Sequence, residues 1–275
     1  MSTIPSLLLN SGASIPQLGF GVFQVDPRET KRVVLDALEV GYRHIDTAAG
    51  YENETAVGQA IAESGISRDE LFITTKQKPS DQADERSSDA IKSSLDKLGL
   101  PFVDLYLIHW PTPARGLYLE SWLALERFAE QGLTKSIGVS NFLPAHLDYL
   151  AAASKTIPAV NQIELHPELQ QWAVEDRSLL AGIRVEAWSP IARGALVDTP
   201  EVNAIAEKYG KTVAQVTLRW HIEHDRIVIP RTVRRERMVE NFELFDFALT
   251  PEEIAVFDGL ESGKRIGPDP ATNNS

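Results

Sequence analysis

The run Val103-Asp104-Leu105-Tyr106-Leu107-Ile108-His109 decides the fold. It is a short apolar, β-rich stretch closed by a polar residue, and the amphipathic stretch Trp122–Glu130 follows it. That pairing reads as a buried strand feeding a helix. The same unit recurs on both sides. Upstream strand candidates are Leu18–Phe23, Tyr42–Asp46 and Leu71–Thr75; downstream ones are Ser136–Ser140, Ala159–Glu164, Arg184–Trp188 and Arg226–Pro230. Helical periodicity covers Arg28–Val40, Ala56–Glu63, Asp89–Leu98, Ala145–Ala153 and Trp172–Leu180. Two further helical segments, Glu201–Tyr209 and Val213–His224, precede the last strand, and Arg235–Leu244 and Pro251–Leu260 follow it.

Eight strands alternating with helices over about 250 residues predict an α/β fold, a closed (β/α)8 TIM barrel with two extra helices. Leu7–Asn10 and Ile15–Leu18 flank Ser11-Gly12, which predicts an N-terminal β-hairpin cap. An open doubly wound sheet that bound a dinucleotide would bring a glycine-rich first turn. No long Pro/Gly/Ser linker or repeat interrupts the chain, so residues 1–275 read as a single domain. The tail from Ser262 to Ser275 is rich in Gly, Pro and Asn and is expected to be an irregular flap or a frayed, flexible end.

Composition narrows the function. The chain has 275 residues, 43% hydrophobic, and a formal net charge of −12, which argues against nucleic-acid or anionic-membrane binding. It has no Cys, which excludes thiol nucleophiles, Cys-ligated zinc, iron–sulfur clusters and disulfides. Met1 to Pro5 shows no secretory signal, and no apolar run is long enough to span a membrane. A cytoplasmic monomer acting on a small molecule is the expectation.

In a barrel of this kind, functional residues sit where strands end and the following loops begin. The polar residues there are Asp46, Lys76, His109, Ser140 with Asn141, Gln162 with Glu164, Trp188 with Ser189, and Arg231 with Thr232. A strand interior is expected to be apolar, so packing does not require this ring. Taken singly, each member also fits a plain role in satisfying loop backbone groups.

Several motif fragments fail. Gly19-Phe20-Gly21 has Gln24 where a dinucleotide fingerprint needs a third glycine. Gly210-Lys211-Thr212 has Ile205 in place of the leading glycine of a P-loop, and Gly138-Val139-Ser140-Asn141-Phe142 lacks the last glycine of a nucleophile elbow. His221 and His224 share a helix face without a carboxylate ligand motif, so they read as a solvated helix end, and no metal site is expected. His44 reads as a packed or hydrogen-bonded barrel residue.

Asp46, Tyr51, Lys76 and His109 lie at or just past the ends of three successive strands. A free tyrosine has a pKa of about 10 and is a poor acid at neutral pH. A lysine ammonium beside it favours the phenolate, and a carboxylate can hold that lysine charged and oriented. His109 is placed to orient a carbonyl oxygen. The set carries no reducing equivalent, so a cofactor must bring one. Arg231-Thr232-Val233-Arg234-Arg235-Glu236-Arg237 offers the site: a cluster of arginines entering a helix after the eighth strand. Arginine forks suit the 2′-phosphate of NADPH; the plainer alternative is a solvated basic helix start. Trp188 offers a face for a nicotinamide ring, though a lone Trp is more often a core residue.

The sequence resembles the aldo-keto reductases, and is especially similar to their bacterial 2,5-diketo-gluconate reductase-like branch. The matching stretches are Leu18–Phe23, Gly41–Ala48, Tyr51-Glu52-Asn53-Glu54, Thr75-Lys76, Asp104–Pro111, Ile137–Phe142, Pro158–Glu164, and Arg237 through Glu240-Asn241. They follow family order over nearly the whole chain. The resemblance implies NADPH-dependent reduction of aldehydes, ketones or dicarbonyls. It implies that Tyr51 donates the proton, that Lys76 paired with Asp46 tunes it, and that His109 orients the substrate carbonyl. It also implies that Ser140, Asn141 and Gln162 hold the nicotinamide carboxamide and that Trp188 stacks on the ring. The loop from Ser189 through Gly194 to Leu196 would pack on the pyrophosphate. Arg231, Thr232, Val233, Arg237, Glu240 and Asn241 would hold the adenosine end, with Gly21 and Val22 also at the cofactor. Phe23, Tyr51, Trp110 and the tail would line the substrate pocket.

Two departures from the family pattern stand out. Lys76-Gln77-Lys78-Pro79 replaces the usual Lys-Leu-Trp-Asn, so Lys78 stands where a tryptophan commonly walls the pocket; it would widen the mouth or attract an acidic substrate. Arg231 stands where lysine is commoner. Rival readings are a barrel that binds NADPH to regulate a partner, and a metal-dependent barrel hydrolase or lyase, which lacks ligands in this sequence.

Overall fold

Parallel strands with helices between them close into one barrel in the computed structural model, which describes residues 4–275. The reading of the first residues as lacking a leader falls on Met1–Thr3, outside that range. The chain starts with an antiparallel hairpin of β1 (Ser6–Leu8) and β2 (Ser14–Pro16), in which Leu7 faces Ile15. The barrel strands are β3 (Phe20–Gly21), β4 (His44–Asp46), β5 (Phe72–Gln77) and β6 (Val103–Ile108). They continue as β7 (Thr134–Ser140), β8 (Val160–Glu164), β9 (Arg184–Trp188) and β10 (Ile227–Val228). Each pairs in parallel with its sequence neighbour. A parallel bridge from Leu18 to Val228 closes the ring. At this seam Gly19 N–H donates to Val228 O at 2.8 Å, Val228 N–H to Gln17 O at 2.9 Å, and Gly21 N–H to Pro230 O at 3.2 Å. A β-carbon at Gly19 would stand 2.5 Å from His44 Nδ1, so this close approach requires glycine.

The helices are α1 (Pro27–Val40), α2 (Glu54–Glu63), α3 (Asp84–Leu98), α4 (Tyr118–Glu130) and α5 (Pro144–Ala153). After them come α6 (Trp172–Leu180), α7 (Pro200–Tyr209), α8 (Val213–Glu223), α9 (Arg235–Phe242) and α10 (Pro251–Asp258). The first shows why such segments form. The Asp26 carboxylate caps the Arg28 N–H at 2.9 Å, Pro27 supplies a pre-set φ at the first turn, and Gly41 at φ 126° ends the helix. Its buried face, Val33, Val34, Ala37 and Leu38, packs into the layer between helices and sheet. A second apolar cluster seals the barrel floor. There Leu9 and Ile15 from the hairpin meet Phe72, Leu105, Leu107, Val160 and Ile227.

The differences from the sequence reading have physical causes. The first and last strands are shorter than expected: each pairs with its inner neighbour over only two residues, they meet each other through a single bridge, and the chain after β3 turns away at Gln24, φ 58°. Helices α2, α3 and α4 begin earlier than expected; the turns added to α2 and α3 are polar and carry no apolar period, whereas α4 gains Tyr118 and Leu119, which pack on the core. The strand interior is not apolar throughout: His44, Thr74, Gln162 and Glu186 are buried polar residues on barrel strands. His221 is not part of a solvated helix end. It is fully buried on α8 and its Nε2 lies 2.9 Å from Pro190 O, which ties α8 to the loop after β9. His224 is half-buried with Asp258 at 3.2 Å. Among the described residues no cluster of three or more His, Asp or Glu side chains is placed to hold a metal ion.

Candidate active site

Asp46 ends β4, and Tyr51 sits on the single helical turn Ala49–Tyr51 that follows. Lys76 is one residue from the end of β5, and His109 directly follows β6. Adjacent parallel strands thus deliver all four to one mouth. Lys76 is fully buried and its Nζ donates to Asp46 Oδ1 at 2.6 Å, Thr47 O at 2.9 Å and Tyr51 Oη at 3.3 Å. An ammonium has three donors and no acceptor, so these contacts commit all of them. The Tyr51 oxygen therefore accepts from Lys76, and its own hydrogen is left to point elsewhere. The Tyr51 ring lies 5.5 Å from the His109 ring and 5.0 Å from the Phe23 ring.

Electrostatics fix the protonation states. Burial works against the Lys76 ammonium, but Asp46, by charge and hydrogen bond, leaves its pKa above that of ordinary lysine. Tyr51 corrects the expectation that its neighbour makes it acidic. Withdrawal from water raises the phenol, Lys76 pulls it down, and burial prevails, so its pKa stands above the ordinary value. The phenol holds its proton at neutral pH. Burial and the Lys76 charge lower His109 to about 3, so it is a neutral imidazole with one N–H to donate.

Around this core, Asn141, left-handed at φ 65°, donates from Nδ2 to His109 O at 3.0 Å and to Ser140 Oγ at 3.0 Å. Its Oδ1 accepts from Trp188 Nε1 at 2.9 Å, and Ser140 Oγ donates to Gln162 O at 2.8 Å. The Gln162 amide turns inward and donates to Asp46 Oδ2 at 2.8 Å and Glu186 Oε2 at 2.9 Å. Phe23 is 49% exposed, enough to be met by a ligand. The Trp110 ring stacks on His109 at 6.4 Å. Lys78 is an exposed residue beside Gly50, 3.9 Å from Asp81. Val22 N–H donates to Asp46 O at 3.1 Å, with Gly21 beside it at the seam.

The loop after β9 holds Ser189, Ala192, Arg193 and Gly194 at positive φ, with Leu196 buried beneath it. Such a run of left-handed residues costs on the order of 1–3 kcal/mol for each non-glycine member, and turns with left-handed residues are a pattern found at anion sites. After β10, Arg235 pairs with Asp36 and Glu39 on α1. Arg231, Arg234 and Arg237 have no carboxylate within ion-pair distance among the described residues, and all three are exposed. Thr232 and Asn241 are buried next to them, Val233 is exposed, and Glu240 accepts from Thr212 Oγ1 at 2.7 Å.

The tail is irregular and crosses the mouth as a strap, a feature the sequence does not specify. Glu164, at the end of β8, is fully buried. Its Oε1 accepts from Ile266 N–H at 2.6 Å and lies 3.2 Å from His166 Nε2; its Oε2 accepts from Gly267 N–H at 3.1 Å and from Arg265 at 3.4 Å. Burial raises this carboxyl, but His166 and the strap's donors outweigh it and hold the pKa below the ordinary range. Further along, Asn274 Oδ1 accepts from Ala114 N–H at 2.8 Å. A β-carbon at Gly267 would overlap the Trp188 ring edge and stand 3.0 Å from Glu164 Oε2. Gly267→Val is therefore expected to destabilise the protein by about 1–3 kcal/mol through overpacking. It should also speed tryptic cleavage after Arg265; an unchanged Tm and cleavage rate would refute the close packing.

Comparison with known proteins follows the same line. The aldo/keto reductase family pattern matches residues 17–262. An aldo-keto reductase of Mycolicibacterium smegmatis is 48% identical over 270 residues, 98% of each chain. The crystal structure of an aldo/keto reductase from Brucella melitensis superposes with a TM-score of 0.92 at 48% identity, over 94% of this chain and 100% of that one. A Bombyx mori aldo-keto reductase in complex with NADP gives a TM-score of 0.92 at 37% identity, over 98% and 96%. Barrel, strand-end residues and near-complete alignment agree: the chain belongs to the aldo/keto reductase family.

Proposed function

We propose that the protein is an NADPH-dependent reductase of aldehydes, ketones or dicarbonyls, with Tyr51 as the proton donor. The observation that carries this reading is the committed Lys76 ammonium: Asp46, Thr47 O and Tyr51 accept its three hydrogen bonds, which leaves the phenol hydrogen free to be given to a substrate. A substrate carbonyl oxygen held by the neutral His109 would accept that hydrogen. Phe23 and Trp110 flank the place where such a substrate enters, and the strap carrying Gly267 borders it.

The residues present fit the cofactor. Arg231, Arg234 and Arg237 are cations without carboxylate partners in a chain of net charge −12, which suits the 2′-phosphate of NADPH. The left-handed loop from Ser189 to Leu196 suits a pyrophosphate, and Ser140, Asn141, Gln162 and Trp188 border the place for the nicotinamide. When bound, the dihydronicotinamide supplies the electrons and hydrogen taken up by the carbonyl carbon. The chain's own part is to orient the oxygen, hold the proton at Tyr51 Oη and release it there.

The test is consumption of reduced nucleotide across sugars, keto acids, quinones and small dicarbonyls. Acidic and neutral members should be compared directly because Lys78 stands exposed beside the turn that carries Tyr51. Turnover is expected with NADPH; binding of NADPH without turnover of any carbonyl would favour a regulatory barrel instead. Arg237→Ala is expected to raise the KM for NADPH by about ten- to a hundredfold, the loss of a charge-assisted contact, while that for NADH stays near the wild-type value. Equal effects on both nucleotides would remove the phosphate role.

A further inference from the structure

Beneath the site lies an acid that the proposed chemistry does not use. Glu186, on β9, is fully buried in the barrel, two residues before Trp188. Its Oε2 accepts from Gln162 Nε2, whose other N–H goes to Asp46 Oδ2, so one side-chain amide bridges two carboxyl groups. The groups around it are few. From β4 come Asp46 and His44, whose Nε2 is 3.6 Å from Glu186 Oε1; from β5 comes Lys76; from β8 comes Gln162; and β10 offers only Ile227 in register. Burial and the Lys76 charge hold His44 neutral, its pKa down to about 3. Among the described residues Lys76 is thus the single cation shared by two buried carboxyls. Glu186 Oε1 has no hydrogen-bond partner among the described residues. A charged oxygen in that position would be costly, whereas a carboxylic acid is tolerated. We propose that Glu186 is a positioning residue that holds a proton in the working enzyme, and that its loss puts a second negative charge under the Lys76–Asp46 pair and weakens Tyr51 as an acid.

The direction follows from charge. Burial and Asp46 raise the Glu186 pKa to about 8. Below that value Lys76 faces one carboxylate, Asp46; above it, two, and the added charge raises Tyr51 and makes it hold its proton more tightly. This inference rests on the reductase reading, so its test includes a measurement that needs no turnover. At neutral pH ordinary surface carboxyls are ionised. The infrared spectrum of the wild-type protein is therefore expected to show a carboxylic-acid C=O band at pH 7 that disappears as the pH rises through about 8 and is absent in Glu186→Gln. The kcat for NADPH-driven carbonyl reduction should fall over the same range, by up to about tenfold per pH unit, and in Glu186→Gln that fall should move to higher pH.

Absence of the band at pH 7 would overturn the proposal. So would superimposable kcat–pH profiles for wild type and variant. If the variant does not fold, the wild type alone decides, because the band and the kcat must then titrate together and separate midpoints refute the link. A wild-type protein that reduces no carbonyl defeats the reductase reading, and the band still decides where the proton sits.

Discussion

Tyr51→Phe is expected to lower kcat for carbonyl reduction by about a hundred- to ten-thousandfold, the usual contribution of a positioned general acid. The change removes one oxygen, and that oxygen's hydrogen bond in the protein is to Lys76 Nζ at 3.3 Å. The ring contacts with Phe23 and His109 depend on the aromatic body and remain available to phenylalanine. Stability and nucleotide binding should therefore stay close to wild type while the chemical step fails. The measurement is steady-state turnover of a reactive dicarbonyl with NADPH, beside a melting curve and a nucleotide titration. Activity retained within about tenfold would assign the proton to another group.

Lys76→Met is expected to damage both rate and fold. The ammonium is fully buried and donates to Asp46, Thr47 O and Tyr51. Without it, Asp46 keeps the Gln162 amide but loses its counter-charge, and breaking a buried pair by removing one partner costs about 3–5 kcal/mol. For a chain of this size that is a fall in Tm on the order of 10 °C. Turnover should drop as far as in Tyr51→Phe, because the phenol loses both the nearby charge and the hydrogen bond that turns its proton toward the mouth. The contrast between the variants is the diagnostic: one loses rate alone, the other rate and stability. A Lys76→Met protein that melts like wild type and keeps its turnover would contradict the buried pair and the tyrosine assignment together.

The barrel is legible in the sequence where strands are buried on both sides. Val103–Ile108 and Arg184–Trp188 announce themselves by apolar or alternating runs with sharp ends, and a polar residue ending such a run, as at Asp46 or His109, marks the mouth. The seam is less legible, because the single bridge from Leu18 to Val228 is decided by closure across the chain and not by local pattern. Glu186 is hidden for a different reason. Alternation places Arg184, Glu186 and Trp188 on one face, but a single strand cannot say whether that face looks into the barrel. The tail misleads through composition: its Gly, Pro and Asn residues suggest fraying, while the backbone N–H groups of Ile266 and Gly267 find their acceptor in a residue a hundred positions earlier.

The seam has a consequence for how the protein is made. Leu18 meets Val228 only after more than two hundred intervening residues exist, and Ile15 at the barrel floor shares a cluster with Ile227. A chain emerging from the ribosome therefore carries an unpaired strand edge until Val228 has been translated. The last strand acts as the closing stave. Until it arrives the polypeptide is an open sheet, and an unpaired sheet edge invites association with other chains.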